Sequence, residues 1–328
     1  MHRQTPTLIL IIAASRLAHV AVAENSAGPH QVSFPLGQRT DIVPRPHVGN
    51  VSYGTIINNC TVPGTVALTF DDGPSQYTDL ILDTLKRYRT KATFFVNGMN
   101  NPLGSIDNPA TLWPAVLRRM HAEGYQIGSH TWDHANLSVT SAFLRDQEVV
   151  FNEMAIRNVI GLVPTYLRPP YASCTGASGC LDDLSNRGYH IVNFDIDTVD
   201  YNHDDPQTIQ WSKDHFADIL SHSGYNQQGS QAGHISLSHD TKHETAVNLT
   251  SFMLSTLHLL GYRGVTVGEC LGDPRENWYR DASPHAVHSL DSSVEALLPT
   301  HSGQCGPGVN LTCRGSDYGH CCSKHGFW

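Results

Sequence analysis

Between residues 66 and 267 the chain alternates short β-prone apolar runs with helix-patterned stretches, and this alternation leaves few folds open. The apolar runs cover residues 66–70, 91–96, 125–129, 166–168, 190–196, 234–238 and 262–267. Helical patterns fill 79–88, 109–123, 142–160, 181–187, 206–221 and 245–260 between them. In 142–160, Phe143, Leu144, Val149, Val150, Met154 and Ile156 fall roughly on one helical face. Glycines 124, 161, 188, 224 and 261 stand where helices end, as a left-handed terminal turn requires. Strands separated by helices make an α/β protein with a parallel sheet, either open or closed into a barrel. Polar residues decide between the two. Asp71-Asp72, His130, Tyr171, residues 197–200 and His239-Asp240 each follow the C-terminal end of an expected strand. A barrel brings such ends together on one face, where barrel enzymes carry their chemistry, so the expected fold is a distorted, incomplete (β/α) barrel of about seven parallel strands.

The 328 residues suffice for one large core, and the formal charge of −9, without a Lys/Arg cluster, argues against a nucleic-acid partner. The N-terminus reads as an export signal over residues 1–23. Arg3 is followed by the apolar run 8–14 and by Ala21-Val22-Ala23, a small-residue cleavage pattern. Beyond it no apolar run is long enough to span a bilayer. Eight cysteines in an exported chain favour disulfides, and five N-x-S/T triplets (Asn50, Asn59, Asn136, Asn248, Asn310) fit a glycoprotein. The protein is therefore expected outside the cell or in the cell wall, as a monomer. Residues 24–62 form an N-terminal extension, 63–272 the main domain, 273–303 a linker and 304–328 a separate cysteine-rich unit.

Five constellations can carry chemistry. Thr69-Phe70-Asp71-Asp72-Gly73-Pro74 sets adjacent carboxylates at a strand end, where alternating side chains allow two different roles, one for a cation and one for a proton. Standing alone, it would read as a capped surface turn. His130-Thr131-Trp132-Asp133-His134 offers two imidazoles that a turn can bring to one metal, and two His with one Asp leave the open position that catalytic zinc uses. Leu167-Arg168-Pro169-Pro170-Tyr171 puts a permanent cation beside two residues without N–H groups. Tyr171 N–H is thus the next backbone donor available to a developing oxyanion. In Asp197-Thr198-Val199-Asp200-Tyr201 and Leu237-Ser238-His239-Asp240, a carboxylate can orient a general-acid His, while Leu237 and Tyr201 can wall a notch the size of a methyl group.

Taken together and in this order, the five segments resemble the motifs of the carbohydrate esterase family four polysaccharide deacetylases, T-F-D-D-G-P, H-[ST]-x-x-H, R-P-P-[YF], D-x-x-D-[WY] and L-x-H. The resemblance implies metal binding by Asp72, His130 and His134, preferably of Zn2+ with Co2+ as an alternative. It further implies Asp71 as general base paired with Arg168, His239 as general acid oriented by Asp200, and Tyr171, Tyr201 and Leu237 against the substrate. Tyr201 stands where many relatives carry Trp. The activity implied is removal of N-acetyl groups from chitin or its oligosaccharides. The alternatives are acetylated xylan or peptidoglycan as substrate, or a catalytically silent polysaccharide-binding protein. Cys60 with Cys270, and Cys174 with Cys180, are the pairings expected. The tail, with Cys305, Cys313, Cys321 and Cys322, resembles the first half of a hevein-like chitin-binding module, with His325 at a position usually aromatic there.

Overall fold

The computed structural model describes residues 34–99, 104–224 and 231–282, and a two-residue pairing of Leu298–Pro299 with Leu311–Thr312. The expected export signal and the cysteine-rich tail lie outside the described residues, that short pairing apart. In chain order the elements are β1 (Ile56–Ile57), β2 (Thr65–Asp71), α1 (Thr78–Arg87), β3 (Thr93–Val96), α2 (Trp113–Ala122) and β4 (Gln126–Ser129). Then follow α3 (Ala142–Ile160), β5 (Leu162–Pro164), β6 (Tyr166–Leu167), α4 (Cys180–Asn186), β7 (His190–Val192) and β8 (Ile196–Asp197). Last come α5 (Ile209–His222), β9 (His234–His239), α6 (Thr250–Leu260), β10 (Arg263–Val265), α7 (Val267–Cys270) and β11 (Tyr279–Asp281).

A parallel sheet in the order β1-β7-β6-β4-β3-β2-β9-β8 curls into a distorted half-barrel. Every residue of β2 is buried, as in a strand covered on both faces. The two-residue period sends Val66, Leu68 and Phe70 outward against Ile81, Leu82 and Leu85 of α1 and Met253 and Leu257 of α6. Ala67 faces the interior with Phe95, Tyr166, Ile235 and Trp278. The same alternation turns Thr69 and Asp71 toward the inside, where both meet Arg168. Ser141 caps the start of α3 through Leu144 N–H, and Gly161 ends it in the left-handed region (φ 76°). No helix among the described residues is long and apolar enough to cross a membrane.

Four details depart from the sequence reading. The expected strand over 190–196 is two: β7 pairs with β1 and β6, β8 pairs with β9, and the residues between change partners. Asn193 N–H donates to Ile57 O and Asp195 N–H to Ile235 O, so this segment spans the seam of the curled sheet. The expected last strand is shorter. β10 pairs with the first half of β2 beside β3, and the chain then turns into α7 behind a Thr266/Glu269 capping box. Residues 273–281 are no linker: β11 pairs antiparallel with β5, and Trp278 is buried with its indole N–H on Asp273 O. Three β residues and one Trp are too short a pattern to stand out beside prolines. Phe143 and Leu144 are exposed, because Arg145, Glu148, Asn152 and Glu153 take buried positions on α3.

The N-terminal extension is built into the domain. Arg45 donates to both oxygens of buried Glu153 (2.8 and 2.6 Å), which also accepts from Thr40 and Tyr189. Both expected disulfides are present, Cys60–Cys270 across 210 residues and Cys174–Cys180 across six.

Candidate metal centre and active site

The C-terminal ends of β2, β4, β6, β8 and β9 open onto one cleft of about 440 Å3. Asp71, Asp72, His130, His134, Arg168, Tyr171, Tyr201, Leu237 and His239 line it, and Asp200 lies buried behind His239. Nine of the ten residues singled out from sequence thus share one cavity, and the tenth touches it through a neighbour.

Asp72 leaves the end of β2 with a left-handed backbone (φ 75°), and its carboxylate approaches the same imidazole nitrogen as that of Asp71. Its Oδ1 lies 3.4 Å from His130 Nε2 and 3.2 Å from His134 Nε2. One donor atom from each of the three residues falls within 4.8 Å of the others. His130 Nδ1 sits 2.7 Å from Arg168 O, and a carbonyl only accepts, so the proton is on Nδ1 and Nε2 presents its lone pair. Asp72 Oδ1 is buried without a hydrogen-bond partner. A lone pair and a buried carboxylate oxygen at this distance repel unless a proton or cation stands between them. The donor set, two imidazoles and one carboxylate, fits a divalent transition metal. Burial alone would raise the Asp72 carboxyl, but hydrogen bonds from His130 and His134 as protonated rings, with the positive charge of His130, outweigh it and hold the group well below the usual range.

Asp71 is buried and fixed from one side. Arg168 Nη1 donates to its Oδ1 (2.8 Å) and to Thr69 Oγ1 (2.5 Å), while Nη2 and Nε go to the carbonyls of Asn193 and Val192. The guanidinium also lies 4.3 Å from the Phe95 ring centroid. Asp71 Oδ2 faces His130 Nε2 at 3.7 Å, on the cleft side.

Across the cleft, Asp200 accepts from His239 twice, from Nδ1 and from the backbone N–H (both 2.7 Å), and from Thr245 Oγ1 at 2.6 Å. Burial by itself would depress the His239 imidazole, but Asp200, with the charges of Asp72 and Asp71, raises its pKa to about 9. The Tyr201 ring stands edge-on to His239, and its hydroxyl donates to Asp197 (3.1 Å). Tyr171 is 68% exposed with its ring 4.7 Å from that of His134.

Four residues that matter here escaped the sequence reading of roles. Glu148 Oε2 accepts the N–H groups of Trp132 and Asp133 (both 3.1 Å), the turn between the two imidazoles. Asn97 Nδ2 binds the carbonyls of His130 and Thr131. Asp240 is fully buried, accepts from Thr78 Oγ1 (2.6 Å) and packs so tightly on Gly73 that a Cβ there would lie 2.0 Å from its Oδ2. Burial, reinforced by Asp72 and Asp71 and opposed by the Thr78 bond, raises its carboxyl to about 7. Phe194 adds an apolar wall to the cleft. Nothing in the helical pattern of α3 marked Glu148 for this role, whereas adjacency to His239 was the available signal for Asp240.

Comparison with known proteins adds an independent line. Residues 58–192 match the family described as "Polysaccharide deacetylase". A chitin deacetylase of Colletotrichum lindemuthianum is 44% identical over 231 residues, 70% of this chain and 88% of that one. One from a Pestalotiopsis species is 39% identical over 278 residues, 85% of each. The solved structure of the Colletotrichum enzyme superposes with a TM-score of 0.65 at 42% identity, covering 72% of this chain and 99% of that one.

Proposed function

The chain belongs to the polysaccharide deacetylase family, and from that premise we propose that it removes N-acetyl groups from GlcNAc residues of chitin, leaving chitosan and acetate. What supports the reading is the convergence of Asp72, His130 and His134 between a carboxylate anchored on one side, Asp71, and an imidazole of fixed orientation, His239.

Asp72 Oδ1 and the two Nε2 atoms would hold a divalent cation, with zinc the proposed ion because two imidazoles and one carboxylate with an open position suit its catalytic chemistry. Such a cation supplies Lewis-acid polarisation of the amide carbonyl and a lowered pKa for an adjacent water. Asp71 Oδ2 takes a proton from the attacking water, while Arg168 keeps Oδ1 occupied and the carboxylate oriented. Water oxygen bonds to the carbonyl carbon, and Tyr171 N–H donates to the oxyanion that develops. His239 carries one proton on Nδ1, directed at Asp200, and gives its Nε2 proton to the amide nitrogen as the C–N bond breaks. Acetate and a free amine leave. Leu237 and Tyr201 bound the space for the acetyl methyl group.

Two disulfides need an oxidising compartment, which supports a site of action outside the cell or in the cell wall. For the tail we propose a partial hevein-like unit that adds little chitin affinity, so the isolated 304–328 peptide should pass through a chitin column.

The test is acetate release from chitin oligomers, acetylated xylan and peptidoglycan side by side. We expect chitin oligomers to be preferred, chelation to abolish release and zinc to restore it. Asp71→Asn should reduce the rate by at least about a hundredfold. Release that survives both chelation and Asp71→Asn would overturn the mechanism.

A further inference from the structure

A second cavity, of about 680 Å3, lies at the other end of the sheet from the cleft. Part of its wall is the segment 271–277, which follows α7. The Val267 and Gly268 N–H groups of α7 donate to Thr93 and Gln126, the first residues of β3 and β4. The cleft is built on the last residues of the strands, so the two hollows sit at opposite ends. This cavity combines apolar walls from Val51, Ile57 and Pro274 with the amide side chains of Asn50, Asn59 and Asn277.

Two of its amides are the acceptor residues of N-x-S/T triplets, Asn50-Val51-Ser52 and Asn59-Cys60-Thr61, and both are exposed. The other described triplets differ. Asn248 is half-buried, and its Nδ2 donates to Glu244, a carboxylate that is 2% exposed and also accepts from His243. A sugar on that nitrogen would crowd the buried acid and leave only one N–H to reach it. Asn136 is half-buried, and its Oδ1 accepts from Ser138 N–H.

We propose that Asn50 and Asn59 are N-glycosylated and that their first N-acetylglucosamine units cover the cavity between them. The reaction needs a lipid-linked, diphosphate-activated oligosaccharide, as the secretory pathway supplies. The Asn Nδ2–C1 bond forms, the C1–O bond to the diphosphate breaks with its electron pair leaving on oxygen, and the amide loses one proton. Modification of Asn59 can precede closure of Cys60, whose partner lies 210 residues downstream. A sugar ring offers an apolar face and polar edges, which match the Val51, Ile57 and Pro274 walls and the Asn277 amide. Glycans here stand away from the cleft and leave it open to substrate. The proposal rests on the extracellular reading above.

The test uses the full chain secreted from a eukaryotic host, with peptide mapping after amidase treatment in heavy-oxygen water. Asn50 and Asn59 should be converted and Asn248 should not. Trimming with an endoglycosidase that leaves one sugar should keep the Tm of the untreated protein, while the Asn50→Gln/Asn59→Gln variant should melt several degrees lower with unchanged acetate release. Secreted protein bare at Asn50 or Asn59, or glycosylated at Asn248, would overturn the assignment, and equal Tm values for all three forms would overturn the seating of the sugars. Retention of the chain inside the cell would sink the export reading and this assignment with it, whereas an exported but bare chain would sink this assignment alone.

Discussion

At the residue scale, His239 sets the alkaline limit of the proposed reaction. Its folded pKa of about 9 lies above the ordinary 6.5, so the ring keeps both protons through neutral pH and loses its acid role as pH rises through about 9. The pairing with Asp200 contributes stability that is complete below about pH 6.5 and lost as pH rises through the folded value. Asp200→Asn removes the largest raising influence. The alkaline limb of kcat should move to lower pH, and kcat at pH 7 should fall roughly ten- to a hundredfold. A pH–rate profile unchanged in Asp200→Asn would refute the assignment of His239 as the acid. The sequence exposed His239 and Asp200 because both stand in short segments at strand ends. Asp240 was present in the same segment but silent, since its role comes from contact with Gly73 and Thr78, more than 160 residues away.

At the scale of elements, the turn carrying His130 and His134 is held by what surrounds it. Thr131 and His134 both have left-handed backbones (φ 71° and 68°), a conformation that costs non-glycine residues energy. Gly98 and Met99 N–H groups bind the carbonyls of Thr131 and Trp132, and Glu148 of α3 takes the two N–H groups that follow Thr131. Glu148→Ala leaves both donors without that acceptor, at about 1–3 kcal/mol each. Metal affinity, titrated against a competing chelator, should fall on the order of 10- to 100-fold, while Glu148→Gln, which keeps an acceptor oxygen, should fall less. Equal affinities for Glu148→Ala and the parent would show that the turn holds itself. The limits of α3 were legible because Ser141 and Gly161 mark its ends. Its buried face was not, because helical periodicity counts apolar residues and this helix buries Arg145, Glu148 and Glu153 with their partners. The change of partners within 190–197 was equally hidden, since both halves of that segment are β-prone.

For the molecule as a whole, two fastenings act far from the cleft. Cys60–Cys270 closes a loop of 210 residues, for which chain entropy suggests about 5 kcal/mol, and native disulfides are commonly worth about 2–5 kcal/mol. The Cys60→Ser/Cys270→Ser variant should lose stability of that order in urea, with a steeper slope because its denatured chain is less compact. Arg45→Ala strands the buried Glu153 charge and should cost about 3–5 kcal/mol by the same measurement. A loss below about 1 kcal/mol would mean that residues 34–46 merely lie on the surface. The disulfide was legible from the cysteines alone, as a long-range pairing with a loop entropy attached, whereas the Arg45 clamp was not. Residues 24–62 show no periodicity, and the value of Arg45 depends on Thr40, Glu153 and Tyr189 meeting in three dimensions.

One side chain joins the seam of the curled sheet to its chemistry. Arg168 grips Val192 and Asn193, where the chain leaves β7 to cross the seam, and with the same guanidinium it grips Asp71. Fraying at that crossing would slacken Asp71, the proposed proton acceptor, at once, so a barrel caught half-unzipped would already be an idle one.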